Sequence, residues 1–142
     1  MLRISTAVLF VLFVLSAGYE IAVFVAPTMM LEGDYQAITG KSYREILTPE
    51  AIRVSVFHTR HMMVMGIAHK AGAFFILFAG FRKSKRWAWW AMLAVGGIAF
   101  VYGAVVNILN GNIQDSVLLL AALGVFVVAL LLPAKKFLAR SY

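Results

Sequence analysis

Four apolar stretches, at 4–26, 61–81, 87–109 and 116–132, take up most of this 142-residue chain. Each has about the 17 to 25 residues that a helix needs to cross a bilayer. Inside lipid every backbone N–H and C=O must find its partner within the protein, which leaves helices as the only economical choice for separate spans. Short connections then force neighbouring spans to run in opposite directions. The expected fold is therefore all-α: an antiparallel four-helix transmembrane bundle forming a single domain over 1–142. Composition agrees, since 63% of the residues are hydrophobic, against about 45 to 50% in a soluble domain, and the mean hydropathy is +0.89.

The charges give this bundle a direction. Arg3, the run Arg82, Lys83, Lys85 and Arg86, and the tail residues Lys135, Lys136 and Arg140 fall at one end, with no acid among them. Lys41, Arg44, Arg53 and Arg60 at the other end are nearly balanced by Glu32, Asp34, Glu45, Glu50 and Asp115. By the positive-inside rule both termini and the 82–86 turn are expected to be cytoplasmic, in a cell inner (plasma) membrane. The net charge of +7 then reflects topology rather than nucleic-acid binding, and the expected partners are the lipid bilayer and other membrane subunits or further copies of the chain. The absence of cysteine removes disulfides, thiolate metal sites and thiol catalysis. Leu15-Ser16-Ala17 has the small residues of a leader cleavage site, but the apolar run continues to Ala26, so the first span reads as a retained helix.

Between the first two spans lies an expected outer loop, 27–58, opened by Pro27, with turn signals at Gly33-Asp34 and Gly40 and a short helix at 42–47. Thr48-Pro49-Glu50 reads as a helix start, so the second helix begins well above its span. Trp87, Trp89 and Trp90 belong at the membrane interface. Gly96, Gly97, Ala99, Gly103 and Ala104 allow close helix approach. Asn110-Gly111-Asn112 is a turn, Asp115 and Ser116 are read as caps of the fourth helix, and Pro133 ends it. The four short spans, the basic turn followed by Arg86-Trp87-Ala88-Trp89-Trp90 and the glycines of the third span together resemble the layout of small bacterial four-helix membrane families such as the DoxX-like group. That resemblance implies a four-helix fold and transfers no function.

Ionisable residues at membrane depth are the best functional leads. All three histidines lie on the second helix, and Ala51, Val54, His58, His61, Met65, His69, Gly72, Ile76 and Ala79 follow one another in steps of three or four, the spacing of a packing seam. This places Met63, Ile67, Ala71, Phe74, Phe78 and Phe81 toward lipid. At about 1.5 Å of rise per residue, Glu20 lies roughly 9 Å and His69 roughly 12 Å inside their spans. They are expected to meet, with Lys70 turned off the stripe toward an interface or a partner. Tyr102 and Asn107 on the third span complete a polar cluster of Glu20, His69, Lys70, Tyr102 and Asn107 in the outer half of the bundle.

Two functional readings lead, ahead of a third, a proton-coupled transporter built on Glu20 and Lys70 whose four spans would need to dimerise. In the first, the chain is a small integral accessory subunit or small-ligand-binding protein with that polar site, without catalytic activity of its own. In the second it is a redox or metal subunit: His58, His61, Met65 and His69 make a set suited to copper, and Glu20 with His69 would suit a quinone head group. Haem would need an axial ligand from another helix or another chain, because the histidines share one helix. No Gly-rich phosphate loop, HExxH or serine triad pattern is present in the sequence.

Overall fold

The computed structural model describes residues 1–138; the tail cation Arg140 lies outside the described residues. Among the described residues seven α-helices follow one another: α1 (Leu2–Val25), α2 (Pro27–Thr39), α3 (Tyr43–Ile46), α4 (Pro49–Ala79), α5 (Arg86–Leu109), α6 (Ile113–Leu131) and α7 (Ala134–Leu138), with a 3-10 turn at Phe81–Lys83. α1, α4, α5 and α6 are long and apolar enough to cross a membrane, the hallmark of a multi-pass membrane protein. They close a ring in which α1 touches α4 and α6, and α5 touches the same two helices.

The termini of these helices follow from local chemistry. Thr48 caps α4, its hydroxyl accepting from the Ala51 N–H at 3.2 Å, and Pro49 fills the first helical position, where its missing N–H costs nothing. Ser84, at φ 56, makes the left-handed turn after the 3-10 segment. α6 is started by Asn112: its side-chain oxygen accepts from the Asp115 N–H at 3.2 Å, while its amide donates to Asp115 Oδ2 at 2.9 Å. Asp115 is thus the third residue of the helix and not its cap. Ser116 instead donates back to the Asn112 carbonyl at 2.8 Å.

Where the sequence indicated an outer loop, most of the chain is helical. Pro27 begins α2 at its first position, and Gly40, at φ 71, ends it in the left-handed conformation, the usual proline-in, glycine-out arrangement of a helix. Gly33-Asp34 therefore lies within a helix and makes no turn. α2 buries Pro27 and Leu31 and packs on α1 and α4. It forms a short cross-piece over one end of the ring.

The apolar core lies in the half of the bundle nearer the 82–86 turn. Leu9 and Phe13 from α1, Ala73 and Leu77 from α4, Ala88, Trp89 and Met92 from α5, and Phe126 and Leu130 from α6 interlock there with Phe81 and Phe137. Gly96 lets the Phe126 ring lie directly against α5, in space that any Cβ would occupy. The Trp89 indole N–H donates to the Leu130 carbonyl at 3.0 Å, beside the end of α6, and ties α5 to α6. In the opposite half the buried polar residues Thr59, Asn112 and Ser116 appear.

The buried line of α4 differs from the expected one. Thr59, Met63, Ala73 and Leu77 are buried, and Gly66 and Lys70 are partly buried, so the packed residues advance in steps of four, three, four, three and four. His58, His61, Met65 and Gly72 are exposed, and His69 is half-buried at the margin. The helix is turned by one residue, about 100°, from the orientation the histidine spacing indicates. Two adjacent stripes of α4 carry seam spacing, and the one that packs holds Gly66, flat enough to admit a side chain from α1, and Lys70, the cation that needs an acid at this depth.

Candidate functional site

The first polar feature joins α1 to α4. Lys70 Nζ donates to Glu20 Oε1 at 2.8 Å, with the two side chains 13% and 12% exposed. The carboxyl group lies over Gly66: a Cβ there would stand 2.7 Å from Glu20 Cδ. Among the described residues no donor reaches Glu20 Oε2. The expected Glu20–His69 contact is replaced by this pair because the one-residue rotation of α4 brings Lys70 inward and leaves His69 at the edge. A lysine is also cationic over a much wider pH range than a histidine, which makes it the stronger partner for a buried carboxylate. Lys70, expected to turn off the stripe toward the membrane interface or a partner, instead packs between α1 and α4.

The second feature is a cleft at the end of the bundle that carries α2. α1 contributes Tyr19, α2 contributes Met30 and Asp34, α4 contributes Met62, α5 contributes Tyr102 and Asn107, and the α5–α6 turn and the start of α6 contribute Asn110, Asn112 and Asp115. The cleft encloses about 590 Å³, within the range of about 300 to 1,000 Å³ typical of small-ligand sites. A side chamber of about 220 Å³ shares Tyr19, Met30, Asp34, Asn112 and Asp115 with it.

Chemically the cleft is acidic and rich in hydrogen-bonding groups, on a wall of methionine and leucine. Asn112, 3% exposed, is its organising residue: its amide, already bonded to Asp115, also points to Asp34 Oδ1 at 3.5 Å. Burial, reinforced by the nearby negative charge of Asp115, holds the Asp34 carboxyl above its ordinary pKa of 3.8. A cation placed between the two acids would relieve both effects. The Asn107 amide donates to the Gly103 carbonyl at 2.9 Å, leaving its oxygen available. Tyr102 is 70% exposed at the rim.

The polar cluster expected from the sequence is therefore divided between two places. Glu20 and Lys70 meet between α1 and α4, with His69 beside them, whereas Tyr102 and Asn107 line the cleft. Tyr19, Asp34 and Asn112 also line the cleft, outside the cluster expected from the sequence. A recognisable signal existed for one of them, because Asn-x-x-Asp at 112–115 is a reciprocal capping pattern. The set His58, His61, Met65 and His69 runs along the outer side of α4. His58 and His61 flank the Phe57 ring, with centroids 5.7 and 6.4 Å away, and Met65 is exposed. Among the described residues no three His, Asp or Glu side chains gather in a group able to hold a metal ion.

Comparison with protein-family models, with curated proteins and with solved structures found no match for the chain.

Proposed function

We propose that this chain is a small, multi-pass membrane protein that binds a small cationic ligand in the cleft between Asp34, Asn112 and Asp115, and that it acts as a ligand-binding or accessory subunit rather than as a catalyst. The observation that carries this reading is the cleft itself: a volume suited to a small molecule, two carboxylates bridged by a buried asparagine, and two tyrosine rings on an apolar wall. Carboxylates supply the charge that a cation needs, and aromatic faces add attraction for an ammonium group. The apolar outer surfaces of the four spans are left for lipid or for neighbouring subunits.

The reading includes an antiparallel bundle. Its support is the order of contacts between α1 and α4: Phe10 lies 5.9 Å from Phe78, Phe13 lies 5.9 Å from Phe74, and Glu20 meets Lys70 and Gly66. Rising numbers in one helix meet falling numbers in the other. With the basic end cytoplasmic, in an inner or plasma membrane, the cleft opens to the outer side. The test is a thermal-shift titration of the purified protein in mild detergent with phenethyltrimethylammonium and with its uncharged carbon isostere. The cation alone should stabilise the wild type, and Asp34→Asn should abolish the shift. Equal shifts from the two compounds, or a full shift in Asp34→Asn, would overturn the reading.

A further inference from the structure

At the end of the bundle opposite the cleft, a groove of about 810 Å³ runs between the start of α1 and the end of α4. Three cations from separate parts of the chain line it: Arg3 from α1, Arg82 from the 3-10 turn and Lys136 from α7. Its floor includes Leu2, Phe10 and Phe78. Phe10 and Phe78 are partly exposed, so the floor continues onto the apolar outer surfaces of α1 and α4. Among the described residues the ion pairs are Arg53–Glu50 and Lys70–Glu20, and neither involves a groove cation. All six acids of the chain, at positions 20, 32, 34, 45, 50 and 115, are in other segments.

We propose that this groove is a binding site for one anionic phospholipid, its phosphate held among Arg3, Arg82 and Lys136 and an acyl chain laid along Phe10 and Phe78. Charge complementarity selects the head group: three cations line one groove, and among the described residues no carboxylate pairs with any of them. The aromatic floor selects a lipid over a free anion, because it runs from the cations toward the membrane-spanning surface. Basic pockets at the ends of transmembrane helices are the ordinary means by which proteins hold anionic head groups. Selectivity over general attraction comes from placement. Lys83, Lys85 and Arg86 are just as exposed and lie in the same turn, yet they do not line the groove.

That difference supplies the experiment. Native mass spectrometry of the full chain in neutral detergent, with phosphatidylglycerol and phosphatidylcholine added in equal amounts, should show one tightly retained phosphatidylglycerol. Each groove cation removed should weaken retention roughly fivefold, as expected for about 1 kcal/mol per cation, so Arg3→Gln/Arg82→Gln/Lys136→Gln should lose it. The control Lys83→Gln/Lys85→Gln/Arg86→Gln removes the same charge and should retain it. The single variant Lys136→Gln, at an exposed position, gives the fivefold loss without risk to folding. Equal loss in the two triple variants would mean diffuse electrostatic attraction, and equal retention of the two lipids would mean no head-group site. Displacement by glycerol 3-phosphate as effective as by phosphatidylglycerol would mean that the aromatic floor takes no part. Any of these three results overturns the proposal.

Discussion

Replacing Lys70 with methionine should be among the most damaging single substitutions in α4, and the cost follows from the geometry of its partner. Glu20 is 12% exposed, accepts its one hydrogen bond from Lys70 and rests on Gly66 with no other donor in reach among the described residues. Lys70→Met leaves a buried carboxylate without a counter-ion, which costs about 3 to 5 kcal/mol in buried pairs. The residual exposure of both side chains points to the lower figure, about 3 kcal/mol, or roughly a 150-fold change in the unfolding equilibrium. Glu20→Leu strands the ammonium and should cost a similar amount. The double variant Glu20→Leu/Lys70→Met removes both charges and should lie within about 1 kcal/mol of wild type, since apolar replacement of a whole buried pair is often neutral. The double-mutant cycle then gives a coupling energy of about 5 to 7 kcal/mol, far above the roughly 0.6 kcal/mol average of interhelical hydrogen bonds in membranes. Unfolding with dodecyl sulfate in mixed micelles, followed by circular dichroism, measures all four corners. Additive losses, or a Lys70→Met cost below about 0.6 kcal/mol, would refute the buried-pair account. His69→Ala is the matched control, and because His69 is half-buried and takes no part in the Glu20–Lys70 pair, it should cost under about 1 kcal/mol.

Three further outcomes follow from the packing and the cleft. Gly66→Ala places a methyl group 2.7 Å from Glu20 Cδ and should destabilise by about 1 to 3 kcal/mol; the loss should shrink in the Glu20→Leu/Lys70→Met background, where the unfolding midpoints make the comparison. Trp89→Phe leaves the Leu130 carbonyl without its indole donor and should cost about 1 to 3 kcal/mol, read in the same unfolding assay. For Asp34 the sign is set by its raised pKa: the folded state holds the proton to higher pH than the unfolded chain. Its contribution to stability is thus complete below pH 3.8 and disappears as pH rises through the folded value. The wild-type thermal midpoint should therefore rise on acidification through that window relative to Asp34→Asn, while affinity for a cationic probe should fall. Parallel pH profiles for the two proteins would contradict this.

Much of the architecture was legible because it depends on patterns that a single helix imposes. The four spans, the Thr48-Pro49 helix start, the Gly111 turn and the break at Pro133 all rest on hydropathy or on local backbone chemistry. What was hidden depends on choices between helices. α4 carries two seam-spaced stripes one residue apart, and only the close approach of Glu20 to Gly66 decides which of them faces α1. The histidine stripe combines seam spacing with ligand chemistry, yet it lies beside the packed line. α2 is obscured in the sequence because Gly33-Asp34 has the composition of a turn, while Pro27 and Gly40 bound a helix of 13 residues of mixed polarity. Asp34 reaches the cleft only because that segment is helical and lies across the bundle end. Its meeting with Asn112, 78 residues away, has no trace in local sequence.

Locating a bound cation gives the most direct test of binding in the cleft. An aryl-azide derivative of phenethyltrimethylammonium, photolysed with the protein in detergent and mapped by peptide mass spectrometry, should label residues that line the cleft, such as Tyr19, Met30, Asn107 and Leu118, and labelling should be lost in Asp34→Asn. Labels concentrated on the His58–His61 face of α4, or spread along the apolar outer surfaces and unchanged by Asp34→Asn, would contradict it.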